Sequence, residues 1–380
     1  MIYSVPILDE SDRAVLRLIE EQKARLSVHV QHNPKRWMGS IRKRTFAKAI
    51  QGSNSIEGYN ASIDDALAAV DDEPPLDERT ETWFAISGYR AALTYVMQAA
   101  KDQHFQLSKQ FLKSLHFMMI GWDLNKNPGQ WRPGHIYVHS NKRDETVYVG
   151  PDAEYIERLM DGLIEYLTSQ SNEHFLVRAA MAHLNLTLIH PFSDGNGRMA
   201  RAIQTLIISL SGVLDPVFSS IEEWLGQNTQ EYYDILEETA KGEWSPQRSA
   251  LGWVRFCLIA HYQQASTLLR RIEEYGALYE RVITLVEKHS LNERMALPLF
   301  DAALGQSSSR AKYQEQADVT AHTASRDLKK LSDLELLDPT GNYRGRRYRP
   351  SKVLVELRHA VRIKRPLRNP YDVVKSENLI

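Results

Sequence analysis

His190-Pro191-Phe192-Ser193-Asp194-Gly195-Asn196-Gly197-Arg198-Met199-Ala200-Arg201 is the stretch on which the reading of this chain turns. A Gly-Asn-Gly turn needs backbone angles that glycine adopts freely. When such a turn opens a helix, its free N–H groups converge on one spot, and the helix dipole adds positive potential there. That spot is an anion site. Arg198 and Arg201 stand three apart and share one face of the following helix. Two cations at a helix N-terminus oppose the dipole and each other, so the pattern calls for an anion between them. Asp194 offers a hard oxygen of the kind that holds Mg²⁺ against phosphates. His190 precedes a proline, which drives it out of helical geometry. It should end the preceding helix, face the turn and accept a proton at neutral pH.

Two other readings compete for these residues. Gly195 to Ala200 also fits the dinucleotide fingerprint G-x-G-x-x-A, with Asp215 about twenty residues further on. That reading needs a strand before the glycines, yet Leu184 to Ile189 continues a helical pattern from Phe175. It also leaves His190, Asp194 and both arginines unexplained. An ordinary glycine-rich helix start capped by Asp194 accounts for the turn, but not for two arginines and a histidine around it.

The stretch resembles the core motif of the Fic family, His-x-Phe-x-Asp/Glu-Gly-Asn-Gly-Arg-x-x-Arg, and matches every specified position. The resemblance implies a nucleotidyltransferase that moves AMP from ATP to a hydroxyl side chain of a target protein. It implies His190 as general base, Asp194 as Mg²⁺ ligand and Gly195, Asn196 and Gly197 as the anion hole. Arg198 would hold the β- and γ-phosphates, Arg201 the γ-phosphate, and Phe192 would anchor the loop. The phosphorylating Doc branch has lysine where this chain has Gly197, which argues against a kinase. Ser53-Asn54-Ser55-Ile56-Glu57-Gly58 is, by itself, a serine and a glutamate on one helix face with a glycine that could end the helix. In the family it resembles the inhibitory helix Ser/Thr-x-x-x-Glu-Gly/Asn. That implies an ion pair from Glu57 to Arg201, with Ser53 and Gly58 part of the same device. The tyrosine pair Tyr232-Tyr233 resembles a nucleoside contact of the family; Ala240 stands where some relatives have an adenine-contacting asparagine.

The rest of the chain is consistent with an all-α protein. Val15, Leu18, Ile19, Gln22 and Leu26 mark an N-terminal helix closed by Pro34, and Arg42 to Lys48 a basic, solvated helix face. Ser62 and Ser108 look like helix caps, and Asp71 to Asp77 like a proline-broken linker. His135 to Val138 and Thr146 to Val149 read as a hairpin. By resemblance the hairpin is a flap that clamps the target in extended form. His183 reads as a packing histidine. Thr320 to Leu331, followed by Gly341 to Arg349, resembles a winged helix with an arginine-rich wing. Thr323, Ser325 and Arg326 would face bases if it binds DNA, and docking or homodimerisation is the other use.

At 380 residues the chain has room for two or three domains. The expected division is a helical region 1–105 with its inhibitory helix near 53–58, a Fic core 106–270, a connector helix and winged helix 271–352, and a polar tail 353–380. A net charge of −1 gives no global pull toward nucleic acid or membrane. A single cysteine, Cys257, excludes an internal disulfide framework, and with no signal peptide read at Met1 to Pro6 the expected compartment is the cytoplasm. The expected partners are ATP, Mg²⁺ and a protein hydroxyl, the chain's own included. The rival function is a nucleotide-sensing, DNA-binding transcriptional regulator built on the same core.

Overall fold

The computed structural model describes residues 1–32, 37–75, 80–140, 143–212, 216–341 and 346–378. In chain order it has α1 (Glu10–His32), α2 (Met38–Ile56), α3 (Ile63–Val70), α4 (Glu81–Ala99), α5 (Lys109–Ile120) and the hairpin β1 (Tyr137–Ser140) and β2 (Glu145–Val149). Then come α6 (Ile156–Thr168), α7 (Phe175–Ile189), α8 (Asn196–Leu210), α9 (Pro216–Ser219), α10 (Glu222–Gln227), α11 (Thr229–Ala240) and α12 (Leu251–Lys288). The C-terminal part holds α13 (Ala296–Ala303), β3 (Ser308–Ser309), α14 (Arg310–Ala317), α15 (Ala321–Asp333), β4 (Leu337–Thr340), β5 (Arg347–Pro350), α16 (Lys352–Ala360) and α17 (Pro370–Ser376). The protein is mainly helical, and its described sheets are small and antiparallel. No described helix is long and apolar enough to cross a membrane.

The chain forms two compact units. One comprises 1–28, 42–266 and 367–380; the other 29–41 and 267–366. In the first, α7 is buried on all sides, from Leu176 through Ala180 and Leu184 to Ile189. A helix apolar all round must be enclosed. Its partner α8 turns Met199, Ile203, Leu206 and Ile207 inward. The six residues between them, His190 to Gly195, form the loop that joins the two helices. Ser62, Thr80 and Ser108 cap α3, α4 and α5 with their hydroxyls, each accepting the N–H three residues on. Because Leu184 to Ile189 is helical, the strand required by a dinucleotide fold is absent there; Asp215 lies outside the described residues, as does Pro34.

The boundaries differ from the sequence expectation in three places. The connector helix expected from residue 271 is the continuation of α12, which starts at Leu251; Trp253, Val254, Cys257 and Leu258 are buried in the first unit. A division at residue 270 therefore falls inside one unbroken helix. The expected tail also contains structure. Asn369 caps α17, and Val373 and Val374 are buried in the first unit, too short an apolar signal to show as periodicity. The hairpin's first strand is Tyr137–Ser140, shifted toward the turn, with a bulge between Val138 and His139.

In the second unit the sheet order is β3-β5-β4. Asp327 is buried and holds its elements together. It accepts from Arg294 Nε (2.7 Å) and Nη2 (3.2 Å) and from the Tyr313 hydroxyl (3.1 Å). Asn342 to Gly345, the expected wing tip, lie outside the described residues.

Candidate active site

His190 ends α7 in the left-handed region (φ 51°, ψ 57°), with its N–H on Leu186 O at 3.1 Å. Its Nδ1 lies 3.1 Å from Thr187 O. A carbonyl only accepts, so Nδ1 carries the proton and Nε2 keeps its lone pair. The residue as a whole is half-buried. Burial nevertheless brings its pKa down to about 4, opposed by the Thr187 bond and helped by the Arg132 charge. At neutral pH the imidazole is therefore an uncharged base.

The loop after it is held by its own side chains. Asn196 accepts the Phe192 N–H (2.9 Å) and returns its amide to Phe192 O (2.8 Å). His116 stacks on the Phe192 ring at 3.8 Å and reaches Asp194 O at 2.9 Å through Nε2, while its Nδ1 accepts the Gly129 N–H at 2.8 Å. Gly195 is left-handed (φ 76°), and a Cβ there would press on Ile120 at 3.0 Å. Its N–H is taken by Asp194 Oδ1 at 2.6 Å. The anion-facing donors are therefore those of Asn196, Gly197 and Arg198, which as first-turn groups have no intrahelical acceptor. Asn196 contributes its backbone alone, since its amide is committed to Phe192.

Asp194 Oδ2 lies 3.0 Å from Lys126 Nζ and 3.7 Å from Arg198. Burial pushes this carboxyl up, but Arg198 and Lys126 overcome it and hold it below its ordinary pKa. Arg198 is fully buried. Its Nε, Nη1 and Nη2 meet no hydrogen-bond acceptor among the described residues, and the Tyr59 ring lies 5.1 Å from its guanidinium. A desolvated guanidinium without acceptors is costly, and it marks the place for an anion.

Arg201, also buried, is bound by α2. Its Nε donates to Ser53 Oγ at 2.7 Å, and its Nη2 to Ser53 O (2.9 Å) and Glu57 Oε1 (2.6 Å). Burial disfavours its charge, but Glu57 outweighs that and keeps its pKa raised. Glu57 also lies over the turn: a Cβ on Gly197 would run into Glu57 Oε1. Its carboxylate thus occupies the anion cradle. Gly58 (φ 86°) then turns the chain away from α2. The position of α2 is set by a glycine crossing, since a Cβ on Gly226 would lie 2.6 Å from Gly52 Cα, and one on Gly52 would strike Glu222 O. Tyr233 adds a bond from its hydroxyl to Ile56 O at 2.8 Å.

The tyrosine pair separates. Tyr233 is 44% exposed, but Tyr232 is 1% exposed and its hydroxyl meets His183 Nε2 at 3.0 Å. Tyr232 is therefore packed in the core, and of the expected nucleoside pair only the Tyr233 ring is exposed. Successive residues of a helix are turned about 100° from one another, and here that turn leaves Tyr232 inside and Tyr233 at the rim. His183 is a packing histidine, with Gln204 on Nδ1 at 2.5 Å and burial lowering its pKa to about 3. Sequence reasoning missed His116, Lys126, Tyr59 and Arg132, each a lone residue outside any motif. Only Tyr59, next to Gly58, carried a positional hint.

Residues 106–208 match the Fic/DOC family. This chain is similar in its core to a Fic domain. It is 24% identical over 290 residues to the protein adenylyltransferase Fic of Nematostella vectensis, a match covering 75% of this chain and 63% of the relative. It is 26% identical over 270 residues to protein adenylyltransferase fic-1 of Caenorhabditis elegans, covering 69% and 48%. The chain thus spans between about half and under two thirds of these relatives' length. Among solved structures, a Fic family protein from Desulfovibrio desulfuricans superposes with a TM-score of 0.60 at 20% identity, covering 92% of this chain and 98% of that one. Residues 134–508 of C. elegans Fic-1 give 0.54 at 20%, covering 68% and 71%. At such identity the likeness concerns the fold. The matched residues contain His190, the turn and both arginines, while Ser53 and Glu57 come from outside them.

Proposed function

We propose that this protein transfers AMP from ATP to a hydroxyl side chain of a protein and is held inactive by Glu57. The observation that carries the reading is Glu57 Oε1 at 2.6 Å from Arg201, over Gly197 and beside an arginine whose donors are unfilled. The site has the form of a polyphosphate cradle with a carboxylate lying in part of it. The names of the relatives, protein adenylyltransferases, support the chemistry.

In the open state the γ-phosphate takes the place of the Glu57 carboxylate on Arg201, and Arg198 gains acceptors for its buried donors. His190 Nε2 then removes the proton of the target hydroxyl. The hydroxyl oxygen bonds to the α-phosphorus, and the bond from that phosphorus to the bridging oxygen breaks, releasing pyrophosphate. The N–H groups of the turn stabilise the charge that builds on the phosphate. The donor set fits Mg²⁺ held mainly by phosphates, because Asp194 is ionised and partly open, and such sites need only one or two carboxylates. When bound, the ion neutralises charge on the leaving group. The target segment would pair with the outer edge of β1, which no described strand covers.

The test uses α-32P-labelled ATP with the full chain. Glu57→Gly should raise transfer, self-modification included, by at least about tenfold, since removing one partner of a buried pair is worth about 3–5 kcal/mol, less here because Glu57 is 23% exposed. Arg201→Ala breaks the same pair but removes the γ-phosphate ligand, so it should not activate. His190→Ala in the Glu57→Gly background should abolish transfer and keep ATP binding. Unchanged transfer in Glu57→Gly, or equal activation by Arg201→Ala, refutes the control mechanism.

A DNA-binding role for the second unit is favoured by the exposed face of α15, where Arg326 and Lys329 have side chains 66% and 75% exposed. It would accompany the transfer activity and not replace it.

A further inference from the structure

Arg132 lies just before the hairpin, is 4% exposed, and has no carboxylate within ion-pair distance among the described residues. Its guanidinium is filled by carbonyls from three places. Nε donates to His190 O at 2.8 Å, Nη2 to Pro151 O at 2.5 Å, and Nη1 to Gly134 O. Its own N–H donates to Pro191 O at 2.8 Å. Gly134 stands before β1 and Pro151 after β2, so one side chain holds both stems of the hairpin and the residue that ends α7. Two further contacts tighten the same joint. The Tyr148 hydroxyl donates to Leu188 O at 2.6 Å, and a Cβ on Gly150 would lie 3.3 Å from Arg132 Nη2 and 3.9 Å from His190 Cβ.

We propose that Arg132 is a positioning residue for the transfer reaction, setting the general base and the strand edge that receives the target segment with one planar fork. The inference rests on the AMP-transfer reading above. Its physical content is coupling. His190 sits in the left-handed region, which is uncommon for a residue other than glycine and persists only when its surroundings hold it. The Arg132–His190 carbonyl bond supplies part of that hold. The same guanidinium fixes where β1 and β2 leave the core, and therefore how far a hydroxyl on a paired strand stands from Nε2. Lysine cannot do this, because it presents a point of charge and not a fork. The Arg132 charge also faces the imidazole and opposes its protonation, second in the lowering direction to burial. The other charges facing the ring are those of Glu57 and Asp194, which act the opposite way.

Arg132→Lys and Arg132→Gln are made in the full chain in the Glu57→Gly background. Both should lower kcat about 100-fold, the scale for a displacement of roughly 1 Å, with the KM for ATP within about twofold, because no phosphate ligand is touched. The acid limb of kcat should move to higher pH in Arg132→Gln and stay in place in Arg132→Lys, which keeps the charge; a merely structural arginine would not separate the two. Amide exchange should speed up in peptides covering 134–140 and 143–151 and remain slow in α8. A kcat within about threefold of background in Arg132→Gln, with exchange unchanged, overturns the proposal. If Arg132→Gln does not fold, Arg132→Lys decides by the same kcat and exchange readings. If the Glu57→Gly background transfers nothing, the AMP reading fails. Exchange, together with an NMR titration of His190, then still decides the positioning role.

Discussion

Glu57 reaches Arg201 because Ser53, one helical turn earlier, grips the same guanidinium from its hydroxyl and its carbonyl. The charge of Arg201 is thus accommodated in two steps, a permanent one from Ser53 and a replaceable one from Glu57. Full opening of a closed state requires about 5.5 kcal/mol of differential stabilisation, which on the proposed mechanism ATP alone would supply while Glu57 is present. The pH dependence follows from His190. Its folded pKa, about 4, lies below the ordinary 6.5, so the base stays neutral down to acid pH and is lost only as pH falls through the folded value. Transfer by Glu57→Gly should therefore be flat from pH 8 to about 5.5. A rate that halves near pH 6.5 would show an ordinary, solvated imidazole and remove the physical basis of the base assignment.

At the scale of elements, α2 and α10 meet where Gly52 and Gly226 allow backbone against backbone. The contact sets how deep Ser53 and Glu57 reach toward α8. A methyl at Gly52 would strike the Glu222 carbonyl, which is backbone and cannot rotate away. Gly52→Ala should thus shift α2 outward, destabilise the fold by about 1–3 kcal/mol and raise basal transfer. Thermal melts and self-labelling measure the two effects on one sample. Lower stability without a gain in transfer would mean that the crossing supports the fold but not the inhibition. The hairpin is a second such element. Its stems are bolted to the end of α7, while Tyr137 at the start of β1 is 60% exposed, which leaves a fixed base and an open strand edge.

For the whole molecule, the chain forms two compact units with different surfaces. The first holds every residue of the proposed transfer site. The second offers α15, whose Thr320 cap places Ser325, Arg326 and Lys329 on the outside while Ala324, Leu328 and Leu331 face inward. If it contacts DNA, the full chain should shift a duplex at low salt, with affinity falling steeply as salt rises. Arg326→Glu with Lys329→Glu should reduce both the affinity and the salt slope. No shift at low salt leaves this face for a protein partner. The near-zero net charge of the chain is no obstacle, since the basic face is local.

The sequence by itself determined the local chemistry: the turn at Gly195 to Gly197, the end of α7 at His190 and the helix caps. Each of these depends on residues within a few positions of one another, where backbone preference and spacing decide. It also placed Glu57 and Arg201 as candidates for one another, but only through resemblance, because 144 positions separate them. Tertiary structure alone decided what lies around them. It put Arg132 on the His190 carbonyl, His116 under Phe192 and Lys126 on Asp194, and it took Tyr232 into the core. It also extended α12 across the expected boundary and gave α17 a buried place. None of these partners is near in sequence to what it touches. A lone arginine, histidine or lysine has the same local signature on a solvated face as in a buried joint, and only the packing of α5, α7 and the hairpin stems removes the water that would otherwise make them interchangeable.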